Sequence, residues 1–177
     1  MDENPLIRSL KELCAFLEGE GIDYMLVGGL AVGLWGPPRA TVDVDFPVSF
    51  STDNFASLSR KLRESDRFIF VHDRPMAFEK ITLLRAILKS NTSISVDFLF
   101  ADDEFKREAL RRKDAIQLSG FSLKIPTPED LILLNVLSNR PQDLLDAEMV
   151  YKAQKKNLDT GYLQRWAERL NIVMPFT

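Results

Sequence analysis

Histidine and cysteine are almost missing from this chain, with one of each in 177 residues, His72 and Cys14. A single cysteine excludes an intrachain disulfide and permits a reducing compartment. The same scarcity excludes the histidine and cysteine ligand sets of structural zinc sites. Cys14 lies among Leu10, Leu13, Ala15, Phe16 and Leu17 and reads as a buried, inert thiol. His72 sits in the turn-like Val71–His72–Asp73–Arg74–Pro75 and reads as a solvated loop residue. No apolar run approaches the ~20 residues of a membrane-spanning helix. The start, MDENPLIRSLKEL, lacks the basic leader and clean apolar run of a secretory signal. The expectation is a cytoplasmic protein with no membrane partner. An excess of positive charge is also missing, since the formal net charge is −3. That weighs against a protein that coats DNA, which needs many phosphate neutralisations, but a local patch can still act within an acidic chain.

What is present suits one well-packed domain, because 45% of the 177 residues are hydrophobic. Pro5 and the spacing of Leu6, Leu10, Leu13 and Leu17 predict a helix over 5–19, stopped by Gly19 and Gly21. DYMLV at 23–27 predicts a short strand, followed by Gly28–Gly29 and a helical turn over 30–35 that Gly36, Pro37 and Pro38 break. VDVDFPV at 42–48 alternates acidic and apolar residues, the pattern of a strand with Asp43 and Asp45 on one face. Pro47 places that strand's end, or the strand itself, at an edge. A helix is predicted over 53–65, capped by Thr52 or Asp53, and strands over 67–71, 93–100 and 121–125. Residues 79–87 are ambiguous, with β-branched Ile81 and Thr82 favouring a strand. Residues 103–113 predict a polar helix. Thr127–Pro128–Glu129–Asp130 is a helix start, with a cap, an early proline and acids at the positive end of the dipole. Further helices are predicted over 141–156 and 160–172. The expected layout is a mixed α+β core over 1–125, with a small twisted sheet and flanking helices. A helical extension over 126–177 packs on the same core.

Three features carry chemistry. Gly28–Gly29 follows a strand, where glycine allows tight turns and close approach of a ligand. Asp43 and Asp45 share a strand face. Asp97 interrupts the apolar run of Val96, Phe98 and Leu99, where an unpaired carboxylate is costly and calls for a metal or a cation. If Asp97 lies beside Asp43 and Asp45, the three repel, and a divalent cation resolves the repulsion.

The stretch LVGGLAVGLWGPPRATVDVDF resembles the signature of the nucleotidyltransferase superfamily: an apolar residue, a Gly–Gly pair, a spacer, then Asp–x–Asp. Thirteen residues lie between Gly29 and Asp43. Ala31–Val32, Gly36, Arg39–Ala40–Thr41 and Asp43–Val44–Asp45 are similar to the AbiEii-type branch of small members, which the resemblance links to toxin–antitoxin systems. Val96–Asp97–Phe98–Leu99 matches the strand of the third carboxylate. Pro128–Glu129–Asp130–Leu131–Ile132 and the stretch from Arg140 to Asp146 continue the likeness, which runs over most of 22–150. One departure stands out: Asn135 replaces a lysine that relatives commonly carry.

The resemblance implies transfer of a nucleoside monophosphate from an NTP to an acceptor with release of pyrophosphate. It implies Mg2+ or Mn2+ held by Asp43, Asp45 and Asp97, which are also the catalytic carboxylates. Gly28 and Gly29 would cradle the triphosphate and Arg39 would neutralise phosphate charge, unless Arg39 instead pairs with one of the aspartates. The acceptor is left open among RNA, protein and small molecule, as is a homodimer or a helical partner protein. The alternative is a catalytically inactive interaction protein on the same fold.

Other residues read as structural. The basic run from Lys106 to Lys113 is a solvated helix face, with attraction of RNA as the alternative. Arg140 paired with Asp143 or Asp146 would tie the helical part to the α/β part. Trp35, Trp166 and Phe176 read as packing residues.

Overall fold

The computed structural model describes residues 4–38, 44–48, 55–78 and 81–176, and for 44–48, 78 and 81 the backbone alone. The chain opens with helix α1 (Pro5–Gly19), where Asn4 caps Leu6 N–H and Pro5 begins the first turn. Its stripe of Leu10, Leu13 and Leu17 is buried, as the helical spacing requires. Residues 22–27 then run alongside a later strand. Leu26 N–H donates to Lys124 O at 2.7 Å, with lone bridges at Tyr24 and Val27 in place of the predicted strand. Tyr24, Met25 and Leu26 are all buried, so the apolar run reports burial on every side and not a strand's alternation. Helix α2 (Gly28–Trp35) follows directly.

The sheet contains β1 (Val44–Val48), β2 (Phe68–Phe70), β3 (Met76–Phe78), β4 (Ile81–Leu88) and β5 (Ser95–Phe100). Its path is β1-β5-β4-β2, with β3 also paired to β4. The β1–β5 pairing is parallel; β2, β3 and β5 all run antiparallel to β4. β1 ends the path, which suits Pro47, a residue with no N–H to give a second neighbour. Helix α3 (Phe55–Glu64) lies between β1 and β2 in sequence; its predicted caps, Thr52 and Asp53, lie outside the described residues.

Alternation along β4 and β5 sends Leu84, Ala86, Leu88, Val96, Phe98 and Phe100 to one face of the sheet. There they pack with Leu10, Leu13 and Leu17 of α1 and Leu58 and Leu62 of α3. Phe68 sets its ring edge-on to Phe98, with centroids 5.5 Å apart. Arg85 and Asp97 fall at the alternate positions, on the opposite face.

Helix α4 (Glu104–Arg112) is capped by Asp103, which accepts from Lys106 N–H. A hairpin of β6 (Asp114–Leu118) and β7 (Phe121–Ile125) turns through Ser119 and Gly120, both at positive φ, the geometry of a two-residue hairpin turn. Helices α5 (Pro128–Ser138), α6 (Pro141–Gln154) and α7 (Thr160–Leu170) end the fold. With α2 they enclose a second apolar cluster around Ala31, Val32, Leu131, Ile132, Ala147 and Trp166. Trp35 packs on both clusters, donates from Nε1 to Pro126 O at 2.8 Å and accepts at its own carbonyl from Gln154 Nε2. No described helix is long and apolar enough to cross a membrane.

Candidate active site

The start of α2 supplies the first component. Val27 is extended, and Gly28 has φ 70°, a left-handed conformation that a side chain would strain. No side chain caps this helix, so its first N–H groups keep their capacity to donate. α2 also packs against β1, the strand that carries Asp45.

The parallel register supplies the second. Asp45 on β1 is level with Asp97 on β5, and neighbouring strands lie about 4.8 Å apart. Two of the three expected carboxylate positions therefore share one rung of the ladder between adjacent strands. Asp43 and Arg39 lie outside the described residues, as does the side chain of Asp45. Among the described residues no group of three or more His, Cys, Asp or Glu side chains is poised to hold a metal ion.

Asp97 has a partner that the sequence did not reveal. Register on the antiparallel side sets Arg85 of β4 opposite it. Arg85 Nε donates to Oδ1 and its terminal nitrogen to Oδ2, both at 2.6 Å. This is the two-pronged, charge-assisted pair that a planar guanidinium makes with a carboxylate. Asp97 is 10% exposed at its side chain and Arg85 46%, so the pair joins a buried anion to a cation that reaches solvent. The signal was there: a lone arginine in ITLLRAIL mirrors a lone aspartate in SVDFLF. Without knowledge that these segments are antiparallel neighbours, the two could not be matched.

Asn135 on α5 is buried, and its Nδ2 has no hydrogen-bond partner among the described residues. A buried amide donor left unmade is costly.

The basic run on α4 is largely ion-paired. Lys106 pairs with Asp102 at 2.7 Å, Arg111 with Glu108, Arg112 with Asp130 at 3.0 Å and Lys113 with Asp23 at 2.8 Å. Asp130 does more than favour the helix dipole. Its Oδ1 accepts from Tyr162 OH at 2.6 Å, and its Oδ2 from Arg112 Nε and Thr127 Oγ1. Burial raises the Tyr162 hydroxyl's pKa, and the hydrogen bond to Asp130 adds to the rise, so Tyr162 stays a donor. Arg140 does pair with Asp143, at 2.6 Å, but the arginine is exposed and the contact spans one turn. Ser138 also donates to Asp143, so among the described residues the pair fixes the α5–α6 turn. Trp166 packs on Phe105 and Phe176 on Tyr151. His72 is exposed. Burial pushes the Cys14 thiol up to about 11, which leaves it protonated and unreactive at neutral pH.

No family model matches the chain, and no curated protein matches it in sequence. Solved structures do match in fold. An antigenic nucleotidyltransferase-like protein from Paracoccidioides brasiliensis superposes with a TM-score of 0.57 at 18% identity, over 92% of this chain and 85% of that one. ANT(2'')-Ia in complex with adenylyl-2''-tobramycin gives 0.57 at 12% identity, over 95% and 98%. The lincosamide antibiotic adenylyltransferase LnuA, lincomycin-bound, gives 0.52 at 11% identity, over 82% and 96%. The fold is thus nucleotidyltransferase-like: a small twisted mixed sheet, flanking helices and a C-terminal helical extension. At these identities the likeness is one of architecture.

Proposed function

We propose that the chain is a divalent-metal-dependent nucleotidyltransferase that moves a nucleoside monophosphate from an NTP to an acceptor and releases pyrophosphate. The observation that carries this reading is the register of Asp45 with Asp97 on adjacent parallel strands, in a fold shared with adenylyltransferases. Carboxylate oxygens at adjacent positions suit a hard cation such as Mg2+ or Mn2+. Asp43, Asp45 and Asp97 would hold it, and Arg39 would face the phosphates. When bound, the ion lowers the pKa of the acceptor hydroxyl and offsets phosphate charge. Backbone N–H groups at Gly28–Gly29 would hold the triphosphate without reorganisation, as donors at the start of a helix do. Asp97 would orient the acceptor hydroxyl and take its proton as the oxygen attacks the α-phosphorus and pyrophosphate departs.

LnuA with lincomycin and ANT(2'')-Ia with adenylyl-2''-tobramycin show this architecture serving small-molecule acceptors, and a small molecule is one acceptor class for this chain beside RNA and protein. Placement in the AbiEii-type branch rests on the sequence motifs from Gly28 to Asp45.

A second reading, an inactive interaction protein on the same fold, is favoured by two observations. Arg85 engages both oxygens of Asp97, and Asn135 stands where a lysine is common. The discriminating experiment incubates the protein with each labelled NTP and cell extract in Mg2+. Label on one macromolecule or metabolite, lost in Asp45→Asn, is the expected result. No label transferred from any NTP contradicts the enzymatic reading.

A further inference from the structure

We infer that Arg85 is an internal counter-cation that competes with the divalent metal for Asp97, so that the metal site at Asp97 is completed only when the Arg85 fork lets go. The inference rests on the proposed metal-dependent reading and concerns how that site is loaded.

Three observations support it. First, the Arg85 fork engages Asp97 through both oxygens, Nε to Oδ1 and the terminal nitrogen to Oδ2, each at 2.6 Å. A metal ion approaching Asp97 must share or displace those donors, and two cations cannot sit on one carboxylate edge without mutual repulsion. Second, the two partners differ in exposure. The Asp97 side chain is 10% exposed and held inside β5, whereas the Arg85 side chain is 46% exposed. The guanidinium already reaches water, while the carboxylate stays where the sheet fixes it. Third, Asp97 is level with Asp45 on one side and with Arg85 on the other. The central carboxylate therefore stands between a second carboxylate position and a cation, on three neighbouring strands. Arg85 is a positioning residue in this account. It keeps Asp97 aimed and electrically balanced before the ion arrives, and its departure sets the affinity for that ion.

The test is Mn2+ binding to the full chain without nucleotide, read by electron paramagnetic resonance of free Mn2+ and by calorimetry. Arg85→Gln removes the charge and the fork; Arg85→Lys keeps the charge and loses the second prong. Folding of each is checked by thermal melting. Arg85→Gln should bind Mn2+ at least about tenfold more tightly than wild type, the scale on which groups around metal ligands act. Arg85→Lys should fall between the two. Added Mn2+ should raise the melting temperature of Arg85→Gln more than that of wild type, because a ligand stabilises the state it binds. A purely structural Arg85 would leave affinity unchanged or lower it. If Arg85→Gln melts before it can be measured, Arg85→Lys carries the test. Unchanged or weaker Mn2+ binding in the folded variant overturns the competition. Asp97→Asn separates the two ways of failing. If it weakens Mn2+ binding in wild type while the Arg85 variants do not tighten it, the metal reading stands and only the competition is wrong. If no variant changes Mn2+ binding, both are wrong.

Discussion

Single residues depart from the average wherever the fold asks something unusual of them. Asp97 is a buried carboxylate in an apolar strand, and the sequence marked it for that reason. A metal or a cation was expected to offset the cost of that burial, and the structure supplies a cation, Arg85, that the sequence did not single out. The reason is physical. A residue's own neighbours along the chain report burial, but only register reports what lies across the ladder. Asn135 is the converse case, a buried amide whose Nδ2 has no partner among the described residues. Replacing it with leucine, close in volume and without a donor, should stabilise the protein without nucleotide by about 1 kcal/mol, because the desolvation cost of an unmade bond disappears. Urea unfolding of Asn135→Leu checks this. A loss of stability would show that the amide is satisfied in solution.

Elements were read best where one mechanism dominates. Helix α1 has a proline start and a regular leucine stripe, and it forms as predicted over Pro5–Gly19. Helix α5 begins at its threonine cap, which accepts from Asp130 N–H. β6 was missed because Asp114–Leu118 is mostly exposed and lacks the apolar alternation that marks a half-buried strand. β3 was missed because its three residues are too short to show a period. Residues 23–27 were over-read, since a run buried on all sides resembles a central strand. Asp130 shows how one side chain can join elements. It ties the start of α5 to α4 through Arg112 and to α7 through Tyr162. Tyr162→Phe keeps the ring and its packing but strips Oδ1 of that donor while Oδ2 keeps Arg112 and Thr127. The expected loss is about 1–3 kcal/mol, the cost of leaving one side of a buried anion unmade, with fold and m-value unchanged in urea unfolding. A loss within error would mean water replaces the hydroxyl.

At the scale of the molecule, helices α1 and α3 cover one face of the sheet, and the Asp97–Arg85 pair stands on the other. That division leaves one face for stability and gives the other a line of charge at the centre of the sheet. The mixed α+β class and its helical extension were legible from the order of elements alone, and the fold likeness agrees. The site was legible only as a list of residues. Register brings Asp45 and Asp97 level, while Asp43 and Arg39 lie outside the described residues. The central claim is that these carboxylates serve transfer and not merely structure. The most direct measurement pairs two readouts on Asp97→Asn, which keeps the volume and removes the charge: ATP affinity by calorimetry, and label transfer to the acceptor found with extract. The account predicts a folded variant with ATP affinity close to wild type and transfer reduced by several orders of magnitude, because the lost carboxylate acts on the transition state. A folded Asp97→Asn that transfers label at the wild-type rate would contradict it.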